Sequence, residues 1–454
     1  MKKFYDRERE MKMLENLPKG TNLIVVYGRR RIGKTRLILE HLRGKESRYV
    51  FIPRDVGEMR FLRELSEIHG IPRFASLKDA VIYLIETSEN VFFDEFQNIK
   101  YMDASLFSYL QEAIDSLDFK GSQRNIFVAG SSNSMMREIF VDYSRPLYGR
   151  VKVSIQLDAL PFEAINMILK DVGIEKFEDR IRYYSVFGGV PKYYEYLDAR
   201  MGFEKRMKAL FFRGTSPLRE EGKIVLLSEF GGDFSRYISA LDAIATGNRS
   251  LGDISAAMGI DRTGTNKYLD TLRKQYGLVK RLVPATEDPE KSKRGLYVLN
   301  DPFLTFWFRF VKRYENYYET GLEDEVYSRF LRDFPSHVSF IFEDIVKNAV
   351  MKQGQWERIG SWWNRRGDEI DIIALNEKNK EILFGEVKWR NRPIGCNLLE
   401  ELKKKKELVD WHREERKEKF LLVSKSGFTK KCIERMDEEG IMHWNLKDVQ
   451  RIIE

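Results

Sequence analysis

An α/β fold built on a parallel sheet is what the first third of this 454-residue chain predicts. Three observations carry that prediction. Short runs rich in Val, Ile and Phe (NLIVVYG, RYVFI, NVFFDE, NIFVAG) recur between helical patterns, and such continuous apolar runs belong to strands covered on both faces. The first run leads into a glycine-rich turn and then a helical pattern, TRLILEHL. The third run ends in two adjacent acids.

The turn after the first strand is Gly28-Arg29-Arg30-Arg31-Ile32-Gly33-Lys34-Thr35. It matches the phosphate-binding pattern G-x-x-x-x-G-K-[ST] in the required strand-turn-helix setting. Its glycines let the backbone curl so that successive N–H groups face phosphate oxygens, and the start of the helix that follows adds positive potential. Lys34 is expected on the outer phosphates and the Thr35 hydroxyl on Mg²⁺. Where the side chains of Arg29, Arg30 and Arg31 go stays open among phosphate, an acidic partner and solvent.

The strand VFFDE delivers Asp94 to the Mg²⁺ shell. Glu95, one residue on, is suited to orient and deprotonate the attacking water. After NIFVAG come Ser131 and Ser132, of which Ser131 is expected to reach the γ-phosphate or that water. Arg145 and Arg150, in DYSRPLYGRV, are candidates to stabilise transition-state charge, either within the chain or from a neighbouring subunit.

Bulk composition excludes several classes. Hydrophobic residues make up 43%, enough for real interiors, and a net charge of +8 over the chain permits nucleic-acid binding without demanding it. Cys396 and Cys432, the two cysteines, form no C-x-x-C pair, which argues against a disulfide framework or zinc cluster and for a reducing cytoplasm. The opening MKKFYDRERE lacks a signal-peptide core. No run approaches the roughly 18 apolar residues of a membrane span. A cytoplasmic protein without a membrane partner is expected.

Five parts are expected along the chain: 1–160 an ATPase core, 161–233 a helical lid, 234–300 a winged helix-turn-helix, 301–335 connecting helices and 336–454 a small α/β domain. In the middle part Leu251 to Met258 reads as a first helix, Gly259 and Ile260 as the turn, and a second helix runs from Asp261. Leu269 and Leu272 point inward. Arg262, Thr263, Thr265, Asn266 and Lys267 lie at the exposed start, where such residues touch phosphates or base edges. A docking role for the same element stays open.

The last part contains EIDIIALNEKNKEILFGEVKW, two apolar strands with charges inside them. A turn centred on Lys378 and Asn379 sets Asp371 opposite Glu386, and strand alternation puts Lys388 on the same face as Glu386. Carboxylates pressed together beside a core call for a cation, and oxygen ligands suit Mg²⁺ or Mn²⁺. Glu343, in FIFEDIVKNAV, is expected to complete the metal shell, with Lys388 steadying water or phosphate. A plain cross-strand salt bridge between Lys388 and Glu369 is the competing reading. KKKKEL from Lys403 and SKSGFTKK from Ser424 would supply phosphate contacts.

Taken together, FYDREREMKML, YGRRRIGKT, FFDEFQ, AGSS, SRPLYGR and FGGVPKYY resemble the archaeal P-loop ATPase family, on the AAA+/STAND side of P-loop proteins. The resemblance implies ATP as ligand, held by residues Gly28 to Arg36, with Arg7 near the adenine. It also implies Ser131 as sensor, Arg150 as finger and Lys192 as a lid residue. A winged helix followed by a segment like YVLNDPFLTFWFRF is the family's usual sequel. The final part resembles restriction-endonuclease-like nucleases of the D…E-x-K type. The expected whole is a DNA-associated ATPase, open to assembly as a homo-oligomer, with a metal-dependent nuclease-like domain. The alternative is a nucleotide-driven regulatory switch that cuts nothing.

Overall fold

The four apolar runs become strands β1 (Thr21–Tyr27), β2 (Arg48–Phe51), β3 (Asn90–Asp94) and β4 (Arg124–Gly130), and a fifth strand, β5 (Val151–Gln156), joins them. The computed structural model, which describes residues 3–230 and 234–454, orders them β2-β3-β4-β1-β5. Every adjacent pair is parallel. Val25, Phe93 and Val128 fill one face of the sheet, while Ile24, Val26, Phe92 and Phe127 are equally buried on the other. Burying one such phenylalanine contributes about 1.5–3 kcal/mol, which is why β1, β3 and β4 show no polar alternation.

Parallel pairing sends every carboxyl end to one edge. Gly28 follows β1, Glu95 follows β3 and Ser131 follows β4, which lies between the other two. Arg150 immediately precedes β5, whose Val151 is level with Leu23 near the start of β1. Roughly 15 Å of strand therefore separates Arg150 from the phosphate loop. Arg150 is bonded there to Asp115 at 3.1–3.2 Å. Of the two settings left open for it, action within its own chain does not fit, because the residue is at the wrong end of the sheet.

The chain divides into two compact units. Residues 1–160, 189–196 and 224–230 make the first, and the rest the second. The segment expected as a single lid, 161–233, is therefore shared between the two, and its far boundary lies outside the described residues. Helices of the first unit used below are α1 (Lys34–His41) and α2 (Asn133–Phe140), together with the C-terminal part of α3 (Glu221–Phe230).

The second unit contains α4 (Ser235–Ala245), α5 (Leu251–Met258) and α6 (Arg262–Lys274), followed by an antiparallel ribbon of β6 (Val279–Leu282) and β7 (Leu296–Leu299). Asp261 caps α6 by accepting from the Gly264 N–H at 2.7 Å. Helix α7 (Pro302–Phe310) starts at a capping Asp301 and buries Phe303, Phe306 and Phe308 completely. Helix α8 runs unbroken from Glu323 to Lys352 with Pro335 inside it. The boundary expected at 335/336 is thus corrected, since it would cut this helix in half.

Beyond α8, strands β8 (Arg358–Trp363), β9 (Glu369–Asn376), β10 (Glu381–Lys388), β11 (Lys417–Ser424) and β12 (Met442–Trp444) form a mixed sheet ordered β12-β11-β10-β9-β8. Helix α9 (Asn397–Lys406) connects β10 to the parallel β11. The β9–β10 register runs from Glu381 opposite Asn376 to Gly385 opposite Ile372, the alignment the symmetric turn predicts. Among the described residues no helix is long and apolar enough to cross a membrane.

Candidate functional sites: the phosphate loop and the carboxylate cluster

At the carboxyl edge of the first sheet, glycine is required twice for different reasons. A side chain at Gly28 would strike the Leu157 carbonyl at 2.4 Å, because β5 leaves the sheet alongside it. Gly33 has open space but a φ of +105°, which only glycine adopts readily. Between them the backbone curls, and Lys34 folds back over it. Its Nζ donates to the Gly28 carbonyl at 2.8 Å and the Arg29 carbonyl at 3.0 Å. Lys34 as a whole is 5% exposed. Burial lowers its pKa, and the charges of Glu95, Asp94 and Glu229 work against that.

The Thr35 hydroxyl donates to Asp94 Oδ2 at 2.7 Å, and Tyr49 donates to the same oxygen at 3.2 Å. Burial raises the Asp94 pKa against these bonds. A hydroxyl and a buried carboxylate in contact are hard oxygen donors of the kind Mg²⁺ takes. Glu95 turns out of β3 in a left-handed conformation with φ 55°. One carboxylate oxygen, Oε2, receives Ser131 Oγ at 2.6 Å and Gln97 Nε2 at 2.6 Å. Ser131 thus meets Glu95 itself. Gln97 went unread in the sequence, although it lies only two residues further on.

A cavity of about 620 Å³ opens over this edge, lined by Lys34, Thr35, Arg36, Glu95, Pro191 and Lys192 among others. The remaining loop residues are differently engaged. Ile32 is buried, so its side chain belongs to the core and only its backbone faces outward. Arg31 lies over the Tyr193 ring at 5.9 Å, and Arg36 donates to the Lys3 carbonyl at 2.6 Å. Arg29 is among the charges facing Glu229, and Arg30 among those facing Lys34. Arg7 is buried, donating to the Asp158 carbonyl at 2.6 Å and to Glu10 at 3.2 Å.

Glu229, on α3, is the residue that sequence reading passed over. It is 4% exposed and accepts from the Asn133 N–H, at the start of α2, at 3.3 Å. Burial pushes its carboxyl up to about 7, against the pull of that bond and of Lys34 and Arg29. Nothing in LLSEF signals this; the residue looks like an ordinary helix surface acid.

In α6, Arg262, Thr263, Asn266 and Lys267 are exposed as expected. Thr265 is corrected: it is fully buried and its hydroxyl bonds the Asp261 carbonyl at 2.8 Å. It shares a stripe with Leu269 and Leu272, one turn and two turns on.

The second sheet gathers charge at the end of β10. Lys388 Nζ donates to Asp371 Oδ2 at 2.8 Å and to Glu386 Oε2 at 2.6 Å. Asp371 also accepts from the Val387 N–H at 2.9 Å. Glu386 is 1% exposed, and its other oxygen receives Lys405 from α9 at 2.7 Å. Glu343 on α8 is pushed up to about 8, first by burial and then by the Asp371 charge. Burial would lower the Lys388 pKa, but Asp371 and Glu386 outweigh it and raise it.

Lys388 therefore pairs with Asp371 and Glu386 rather than with Glu369, which lies level with Trp363 of β8. The KKKKEL run is largely spent on carboxylates: Lys403 pairs with Glu439, Lys405 with Glu386 and Lys406 with Glu418.

Comparison with known proteins agrees with this geometry. Residues 74–197 match the model of an ATPase domain predominantly from Archaea, and 307–407 match one for archaeal and bacterial proteins of unknown function. The uncharacterized protein MJECL04 of Methanocaldococcus jannaschii is 30% identical over 397 residues, spanning 86% of this chain and 88% of that one. The Walker-type ATPase PABY2304 of Pyrococcus abyssi is similar in fold, with a TM-score of 0.51 at 20% identity. The likeness covers 67% of this chain and 96% of that one. Phosphate loop, acid pair, strand order and relatives converge: the chain belongs to the archaeal P-loop ATPase family.

Proposed function

We propose that the first unit hydrolyses ATP and that the second acts on DNA. The observation that supports hydrolysis is the grip on Glu95. Ser131 and Gln97 hold one carboxylate oxygen, Oε2, leaving the other to take a proton from water. The loop amides cradle the phosphates, Lys34 moves from carbonyl partners to phosphate oxygens, and Thr35 and Asp94 hold Mg²⁺. That ion, when bound, neutralises phosphate charge. Steady-state phosphate release by wild type and Glu95→Gln tests the assignment; equal rates would refute it. Arg150, remote from its own loop, serves as finger only in a neighbouring copy, which makes a homo-oligomer part of this reading.

For the second unit, Arg262, Thr263, Asn266 and Lys267 form the exposed start of a recognition helix, with the β6–β7 ribbon as wing. The carboxylate cluster is read as a nuclease-like centre. Asp371, Glu386 and Glu343 would offer the hard oxygens for Mg²⁺ or Mn²⁺ once Lys388 gives way, since among the described residues no group of three such ligands stands ready for an ion. Such an ion supplies an activated water for phosphodiester cleavage, while Lys388 steadies the phosphate charge. Cleavage of single-stranded, duplex and junction DNA by the full chain, with and without ATP, tests this.

One observation favours the regulatory alternative. With Glu343 protonated, two carboxylates face two ammonium groups, and the cluster balances without a metal. On that reading the second unit binds partners and cuts nothing; absence of cleavage in both Mg²⁺ and Mn²⁺ would select it. The cytoplasm is the expected setting of either.

A further inference from the structure

Glu229 has no part in the hydrolytic scheme, yet a buried carboxylate needs a reason. Its surroundings form an anion receptor. Asn133 presents its N–H from the first turn of α2, and Lys34 from α1 and Arg29 from the phosphate loop face the carboxylate as cations. Glu95, beyond β3, opposes it as a like charge. Lys34, the residue meant for the outer phosphates, thus feels Glu229 together with Glu95 and Asp94. A helix start plus two cations is the company a phosphate oxygen seeks, and here a side-chain carboxylate keeps it.

We infer that Glu229 is the residue by which the site tells a triphosphate from a diphosphate: its carboxylate shares the electrostatic field of the γ-phosphate position. This rests on the ATP reading above and adds to it. A γ-phosphate brought to Lys34 meets Glu229 as a like charge in a buried setting, where such repulsion is far stronger than in water. The triphosphate seats fully only when the carboxyl takes a proton or α3 withdraws it. A diphosphate lacks that outermost charge and makes the smaller demand. The raised carboxyl of Glu229 fits the first route, because a proton is then available close to neutrality.

The test uses the full chain and titration calorimetry with Mg·ATP and Mg·ADP. Glu229→Gln should tighten ATP on the order of 10-fold, with ADP changed less than about twofold. In wild type the ATP affinity should weaken as pH rises from 7 to 8.5, and the ADP affinity should not. In Glu229→Gln that difference should vanish. A second measurement needs no variant: at pH 8, titrations in buffers of different ionisation enthalpy should show more proton uptake with ATP than with ADP. Equal effects on both nucleotides, or equal uptake, overturn the role of Glu229 while leaving the nucleotide site intact. Failure of both nucleotides to bind overturns the two readings together.

Discussion

The phosphate loop and the carboxylate cluster use the same materials, a lysine among acids at the carboxyl end of a strand, to opposite effect. Lys34 rests on two neutral carbonyls, and burial lowers its pKa. Lys388 is gripped by two carboxylates that raise its own. A buried ammonium without a bonded anion is stabilised by the arrival of one, so the first site is incomplete until phosphate enters. The second has already balanced its charges, and a metal ion must displace a lysine to bind. What a lysine among acids does therefore depends on which partner its hydrogen bonds reach, and composition alone does not reveal it.

The largest expected effect comes from Lys34→Ala, which should weaken ATP binding by more than about 100-fold in equilibrium titration, since it removes the charge that awaits phosphate. Retention of wild-type affinity would break the first half of the comparison. Glu95→Gln should bind ATP normally and lower kcat by about 10²–10⁴. Ser131→Ala, which only frees that carboxylate, should cost less, on the order of 10-fold.

The second half is sharpened by Glu386→Gln. It leaves Lys405 without its partner and weakens the hold on Lys388, and removing one member of a buried charge pair costs about 3–5 kcal/mol. Denaturant unfolding should register a loss near the lower bound, because both lysines are partly solvated. Mn²⁺ should raise the thermal midpoint of wild type and not of this variant if the cluster takes a metal. No shift in either favours the closed salt-bridge network.

An effect confined to acid pH concerns how α8, which carries Glu343, is seated. His337 on the same helix is 2% exposed and shares a hydrogen bond with the Ser185 carbonyl at 2.8 Å. Burial lowers its pKa to about 4 from 6.5. The fold holds it neutral, so its contribution is intact above pH 6.5 and is lost as pH falls toward 4. The loss is on the order of 3 kcal/mol. His337→Phe should flatten stability across that window; an unchanged acid slope would show that other groups set it.

Much of both sites was legible because it is local. The loop pattern, the acid pair after β3 and the β9–β10 register each follow from a few adjacent residues and from strand periodicity. Leu251–Met258 formed as read. The misreadings have separate causes. Thr265 was read by residue type, although its spacing from Leu269 already put it on the inner stripe. A boundary was expected at 335/336, yet α8 runs through it with Pro335 inside. Gln97 returns to Glu95 only through a left-handed turn that no propensity scale flags.

By itself the sequence determined the strands, the phosphate loop and the identity of the acids at each strand end. Those depend on backbone geometry and on neighbours a few residues apart. Only the tertiary structure decided which charges meet. It brought Glu229 to the field of Lys34, set Lys405 on Glu386 and left Arg150 at the far edge of the sheet. Electrostatic partnership is a matter of distance and burial, and both are set by how elements remote in the chain pack together.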